Sequence, residues 1–257
     1  MRLSVVIPVL NEEDNIRVLL AALRDQTSPA NEIIVVDNGS TDRSVEVARS
    51  FGSTIVEEER RGIPAASSAG YDHASGDIIV RCDADCRPGR SWLEQISEQF
   101  AKDQSVDALT GPGFLYDLPR GTRWLGSVIY GLGYFGLLGS ALAAIPLWGS
   151  NMAFRQEAWA LLRQQAEKES SLIHDDLDLS CLAFGVLKTK FVPGLRMDAA
   201  GRIFARPQGF KTSSGMAMNT LNIHGGVAGI GQRWHSVLRR THNCSSPQKE
   251  KGPTPRS

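Results

Sequence analysis

Four short runs of β-branched and aliphatic residues, separated by amphipathic stretches, fill the N-terminal third of the chain, and this alternation constrains the fold more than any other feature. Leu3–Val9, Ile33–Val36, Ser53–Glu57 and Asp77–Arg81 read as strands. Three helical patterns lie between them. The first follows Asn11, a capping residue type, with acids in its first turn and Ile16, Leu19, Leu20 and Leu23 at helical spacing. The second covers Arg43–Ser50 with Ser40 or Thr41 as its cap, and the third covers Ile63–His73. The order β-α-β-α-β-α-β with right-handed crossovers predicts an α/β fold, a mostly parallel central sheet with helices on both faces. Ligands of such sheets bind outside the carboxyl ends of the strands. Three separate stretches, Pro8–Glu13, the turn at Asp37 and Cys82–Cys86, therefore converge on one sheet edge.

At 257 residues the chain can bury a sizeable core without staples. Lys+Arg and Asp+Glu number 28 each, and this zero balance argues against a nucleic-acid partner. Four scattered cysteines, Cys82, Cys86, Cys181 and Cys244, suit a reducing compartment. The apolar run Leu3–Leu10 contains Pro8 and leads into acids with no small-residue cleavage site, so a buried strand is expected there, not a targeting segment.

The Asp83-Ala84-Asp85 triplet ends the fourth strand. Residues i and i+2 of a strand point to the same side, so the two carboxylates project together. A divalent cation, Mn2+ or Mg2+, would relieve their repulsion and leave positions open for phosphate oxygens. The alternative is a solvated acidic turn. Cys82 and Cys86 bracket the pair, but no second C-x-x-C or His pair accompanies them, so free thiols are expected, not zinc ligands. Gly131–Gly136 spells G-x-G-x-x-G, but beyond the fourth strand it lacks the β-α-β context of a dinucleotide loop.

Five blocks in order, VVIPVLNEEDNI (Val5–Ile16), IIVVDNGSTDRS (Ile33–Ser44), ASGDIIVRCDADCRP (Ala74–Pro88), GSNMAFR (Gly149–Arg155) and HDDLDLSCLAF (His174–Phe184), resemble the family 2 glycosyltransferases. The resemblance implies a GT-A fold over residues 1–235, with a nucleotide- and metal-binding half (1–113) and an acceptor half (114–235). It places Pro8, Leu10 and Glu12 against the nucleotide, Asp37 at the base, Asp83 at the ribose and Asp85 on the metal. One departure stands out. Where the family often carries Ala-Arg-Asn, this chain reads Ala66-Ser67-Ser68, and Arg60 or Arg61 is the candidate replacement for the missing cation.

His174-Asp175-Asp176-Leu177-Asp178 opens an apolar helix. Acids there complement the helix dipole, and at about 100° per residue the three aspartates cannot all face one site. The block resembles the family's Glu-Asp-x-Asp-Leu signature, which implies Asp176 as general base, with Asp175 as alternate. Such a base takes the proton of the acceptor hydroxyl as it attacks the anomeric carbon, and in-line attack inverts the configuration. Gly149, Ser150 and Asn151 resemble the loop beneath the donor sugar. Asn151 would hydrogen-bond sugar hydroxyls or form a turn, and Trp148 would stack on a sugar or fill the core.

Positions 124–154 carry no charge. A single membrane span through the apolar segment 124–148 would separate Asp83 and Asp85 from Asp176, and two spans would need about 40 apolar residues. A buried helix or a helix at the membrane surface remains, and the glycines between Gly126 and Gly149 predict a broken, close-packed one. Trp124, Tyr130, Tyr134, Phe135 and Trp148 suit an interface, with a basic end at Arg233, His235, Arg239 and Arg240. The resemblance implies a transferase that moves sugar from a nucleotide donor to a hydroxyl acceptor, and the apolar segment adds the expectation that it is cytoplasmic, peripheral at the cytosolic membrane face, with a lipid or lipid-linked acceptor. The rival readings are a sugar-nucleotide nucleotidyltransferase and an inert nucleotide-sugar-binding subunit. A disordered tail is expected over 241–257.

Overall fold

In a computed structural model, residues 1–168, 170, 172–201 and 207–244 are described. The first half runs β1 (Leu3–Val9), α1 (Glu13–Arg24), β2 (Glu32–Asp37), α2 (Ser44–Ser50), β3 (Thr54–Glu57), α3 (Ile63–His73), β4 (Ile78–Arg81), β5 (Arg87–Pro88) and α4 (Trp92–Lys102). The second half contributes β6 (Ala108–Thr110), β7 (Gly113–Leu115), β8 (Met152–Arg155), α8 (Asp175–Ala183), β9 (Thr189–Phe191) and β10 (Met197–Ala199). A helical run of α5 (Arg123–Gly131), a π-helical stretch (Leu132–Leu138) and α6 (Gly139–Leu142) precedes β8; α7 (Gln156–Leu162) follows it, and α9 (Pro207–Ile223) and α10 (Gly226–Cys244) close the chain.

Seven strands form the central sheet in the order β3-β2-β1-β4-β8-β6-β9, and β5-β10-β7 form a small second sheet. The first four strands are parallel, as their alternation with helices requires, while β8 runs antiparallel between β4 and β6. Alternate residues of β1 feed two cores. Val5, Ile7 and Val9 pack toward Leu19 and Leu20 of α1 and Trp92 of α4. Val6 packs toward Tyr71 of α3 and Trp159 of α7. A strand buried on both faces needs this continuous apolar run. Gly70 lets α3 lie directly on the sheet, because a Cβ there would overlap Val6 and crowd Val36.

The expected helix caps are not formed. Asn11 adopts a left-handed φ of 56°. Its side-chain oxygen accepts the Thr41 N–H at 2.7 Å, and Ser40 Oγ accepts the Asn11 N–H at 3.1 Å. These groups tie the loop after β1 to the loop after β2, which sets two walls of the sheet edge in register. The apolar segment also differs from expectation. Arg123–Leu142 forms one helical run with a π-helical stretch in its middle, and only 11% of its most apolar window is buried. Gly131, Gly133 and Gly136 face open space, whereas Gly126 lies against Leu118 and Gly139 against Pro146, and Leu142, Leu147 and Trp148 are buried. Of the expected tail, residues 241–244 complete α10, and 245–257 lie outside the described residues.

Candidate active site at the carboxyl edge of the sheet

A cavity of about 440 Å³ opens beyond the ends of β1 and β4, where α8 begins. Pro8, Leu10, Glu12, Asp83, Asp85, Trp148, Ser150, Asp175 and Asp176 all line it, so the two acidic clusters share one chamber. Asp37, Gly149 and Asn151 do not line it. Asp37 sits at the end of β2 with its carboxylate accepting the Ser40 N–H at 2.9 Å, and Asn38 takes the lining position. Asn151 is fully buried; its side chain accepts from Trp92 Nε1 at 2.9 Å and donates to the Leu195 carbonyl at 2.6 Å. Its amide is engaged by protein groups, and it braces the loop. Trp148 is 5% exposed, packed against Gly113 and Tyr130, and also forms part of the cavity wall.

Asp83, Asp85 and Cys86 bring ligand atoms within 4.8 Å of one another. Burial pushes the Cys86 thiol well above its ordinary range, so it stays protonated at neutral pH. A hard cation would take the two carboxylates instead. The pair thus fits a divalent metal, with Ser150 Oγ donating to Asp83 Oδ2 on the far side.

The second cluster divides as helical geometry requires. Asp178 turns away, accepting the Glu167 N–H at 3.0 Å and pairing with His224 at 2.7 Å. Asp175 is buried against Arg81 at 3.4 Å and accepts the Ser67 hydroxyl at 2.9 Å. Asp176 faces the cavity. Its Oδ2 accepts the Gly149 N–H at 3.0 Å and lies 3.0 Å from the Tyr134 hydroxyl, while its Oδ1 accepts the Leu177 N–H at 2.8 Å. The Tyr134 hydroxyl also lies 2.6 Å from the Leu147 carbonyl oxygen, so its proton is shared. Burial and the Asp176 charge hold that phenol well above its usual range, so it remains a donor.

The cation expected at Arg60 or Arg61 is elsewhere. Arg60 pairs with Glu58 at 2.8 Å, and Arg61 donates to the Asn38 carbonyl at 2.9 Å; neither lines the cavity. The guanidinium in the wall is Arg81, 2% exposed, which pairs with Asp83 at 2.9 Å as well as with Asp175. Sequence reasoning passed over it. The available signal was an arginine closing the otherwise apolar strand Ile78–Arg81, where only a paired charge can be buried. Tyr130, Tyr134 and His174 were likewise missed as parts of the chamber or its supports.

A parallel sheet with an antiparallel insertion beyond β4 and an acidic cleft at its carboxyl edge is the GT-A architecture. The structure of glucosyl-3-phosphoglycerate synthase from Mycobacterium tuberculosis, in complex with Mn2+, UDP and glucosyl-3-phosphoglycerate, superposes with a TM-score of 0.65 at 22% identity, covering 88% of this chain and 80% of that one. The chain belongs to glycosyl transferase family 2, whose sequence pattern matches residues 4–170. It is 42% identical over 100 residues to glycosyltransferase AglE of Haloferax volcanii, a match over 36% of this chain and 33% of that protein. It is 36% identical over 116 residues to undecaprenyl-phosphate 4-deoxy-4-formamido-L-arabinose transferase of Edwardsiella ictaluri, over 41% of this chain and 35% of that one. The chain thus matches about a third of the length of these curated relatives.

Proposed function

We propose that the chain is an inverting, metal-dependent glycosyltransferase that moves a sugar from a nucleotide donor to a hydroxyl of a lipid or lipid-linked acceptor. The observation that carries this reading is that Asp83, Asp85 and Asp176 line one and the same chamber. Asp83 and Asp85 would hold Mn2+ or Mg2+, and the bound metal offsets charge that develops on a departing diphosphate. Pro8, Leu10 and Glu12 would form the nucleotide wall, with Asp37 behind it at the base. Ser150, Gly149 and Trp148 would frame the donor sugar. Asp176 accepts the acceptor's proton as the acceptor oxygen bonds the anomeric carbon and the bond to the diphosphate oxygen breaks. Asp175 is a poorer base, because Arg81 and Ser67 already engage its carboxylate.

The acceptor class rests on the apolar helix and on the relative that uses an undecaprenyl phosphate. The helical run Arg123–Leu142 spans 20 residues with mean hydropathy 1.4, and only 11% of its most apolar window is buried. One side gives Tyr130 to the chamber and the Tyr134 hydroxyl to Asp176, while Trp124 (69% exposed), Leu132 and Leu137 (76%) face outward. Such a helix lies favourably at a bilayer surface with its apolar face in the acyl boundary. Trp234 donates to the Ser140 carbonyl at 2.8 Å, which sets α10 and its exposed Arg239 beside the same face. We place this contact at the cytosolic leaflet, where nucleotide sugars are made.

Two experiments test the reading. Incubation with a panel of nucleotide sugars, Mn2+ and polyprenyl-linked saccharides that carry free hydroxyls should yield a lengthened glycolipid, and EDTA should stop its formation. No product, and no donor hydrolysis, with any member of the panel would leave a binding subunit instead of an enzyme. Leu132→Glu/Leu137→Glu should reduce co-sedimentation with anionic phosphatidylglycerol vesicles by about tenfold or more, given the cost of placing two carboxylates in the interface. Unchanged vesicle binding would remove this helix from the membrane contact.

A further inference from the structure

Among the described residues, five carboxylates line the chamber, those of Glu12, Asp83, Asp85, Asp175 and Asp176, beside the His174 imidazole and one guanidinium, that of Arg81. A cavity with that balance attracts bare cations and repels a diphosphate. Arg81 is placed to correct this. Its Nη2 lies 2.9 Å from Asp83 Oδ1 and 3.4 Å from Asp175 Oδ2, so one side chain joins the end of β4 to the first turn of α8. Two small residues clear its path. The Ser67 hydroxyl reaches the same Asp175 oxygen at 2.9 Å, and Gly149 presses so close that any Cβ there would overlap the guanidinium. Among the described residues the buried Nε meets no hydrogen-bond partner, a cost that the pairing of Nη2 with the two acids offsets.

We propose that Arg81 is a positioning residue that makes the chamber select a metal–nucleoside diphosphate over the bare metal, an inference that rests on the nucleotide-donor reading above. By pairing with Asp83 it lowers that carboxylate's hold on a lone cation. By adding positive charge to the wall it favours the diphosphate that arrives with the metal. The missing cation at Ser67 is thereby explained, because a long side chain at that position would compete for the Asp175 oxygen that Arg81 holds.

The test reads two affinities by calorimetry, for Mn2+ alone and for UDP, GDP and ADP in the presence of Mn2+. Arg81→Met should tighten Mn2+ binding by about tenfold and weaken nucleoside diphosphate binding by about tenfold or more. These shifts have opposite signs, whereas simple structural damage would weaken both. Arg81→Lys keeps a charge but replaces the planar guanidinium whose Nη2 meets both acids with a smaller, more mobile ammonium, and should show the same two shifts at smaller size. It also keeps the test decisive if the methionine variant fails to fold. If both affinities fall together, or neither moves in the lysine variant, the assignment of Arg81 is wrong. Should the native chain bind no nucleoside diphosphate, the donor reading fails, while the effect of Arg81 on Mn2+ alone is still measured.

Discussion

Asp85→Ala is expected to lower affinity for a manganese–nucleoside diphosphate by about a hundredfold or more, with little change in melting temperature. Loss of an outer-shell partner costs a metal site roughly 10–100-fold, and loss of a carboxylate that touches the ion costs more. Stability should hold because the Asp85 side chain is only half-buried and its backbone carbonyl accepts the Tyr116 hydroxyl at 3.2 Å, a contact that alanine preserves. Asp83→Ala should behave differently. It would strip a partner from the buried Arg81 and remove the acceptor of the Ser150 hydroxyl, so stability and binding should fall together. Calorimetry and thermal melts on the two variants separate these outcomes. If Asp85→Ala binds the nucleotide with an undiminished response to manganese, the metal site lies elsewhere.

Asp176→Asn is expected to lower the transfer rate by about 10²–10⁴-fold, the range for loss of a general base, while donor affinity stays within about threefold. The amide keeps the shape of the carboxylate but has one acceptor oxygen where Asp176 meets three donors, Gly149 N–H, Leu177 N–H and the Tyr134 hydroxyl. One neighbour is left unsatisfied, which should cost about 1–3 kcal/mol of stability. Single-turnover rates with saturating donor measure the chemical step directly. A drop of less than tenfold would remove Asp176 from the base role. The contact between Tyr134 and Asp176 has a further consequence, because it links the outward-facing apolar helix to the base. A helix seated on a bilayer would hold that base at the depth where a lipid-borne hydroxyl arrives.

The parts of the site that were legible in the sequence are those governed by local periodicity. Asp83 and Asp85 were expected to lie together from the period of two of a strand. They do lie together, but β4 ends at Arg81 and it is a turn, closed by the Cys86 N–H donating to the Asp83 carbonyl at 3.0 Å, that brings them there. Asp175, Asp176 and Asp178 were separable because helical rotation forbids a common direction, and Asp178 does turn away to His224. The family resemblance added roles to these positions but did not anticipate which members of the Gly149–Asn151 loop reach the chamber. Ser150 does, whereas Asn151 serves Trp92 and Leu195, because the choice depends on what packs behind the loop. Asn11 was misjudged for a related reason. Its residue type permits capping, but its left-handed backbone aims the side chain at Thr41 in another loop.

By itself, then, the order of apolar runs determined the parallel part of the sheet and its carboxyl edge, since both follow from the alternation of short-range patterns along the chain. Only the tertiary structure decided that the two acidic clusters share one chamber, that the apolar helix stays uncovered, and that the balancing cation is Arg81. The physical reason is reach. A buried charge is stabilised by partners that folding brings to it, and for Arg81 the decisive ones, Asp175 and the glycine that makes room at position 149, lie far along the chain.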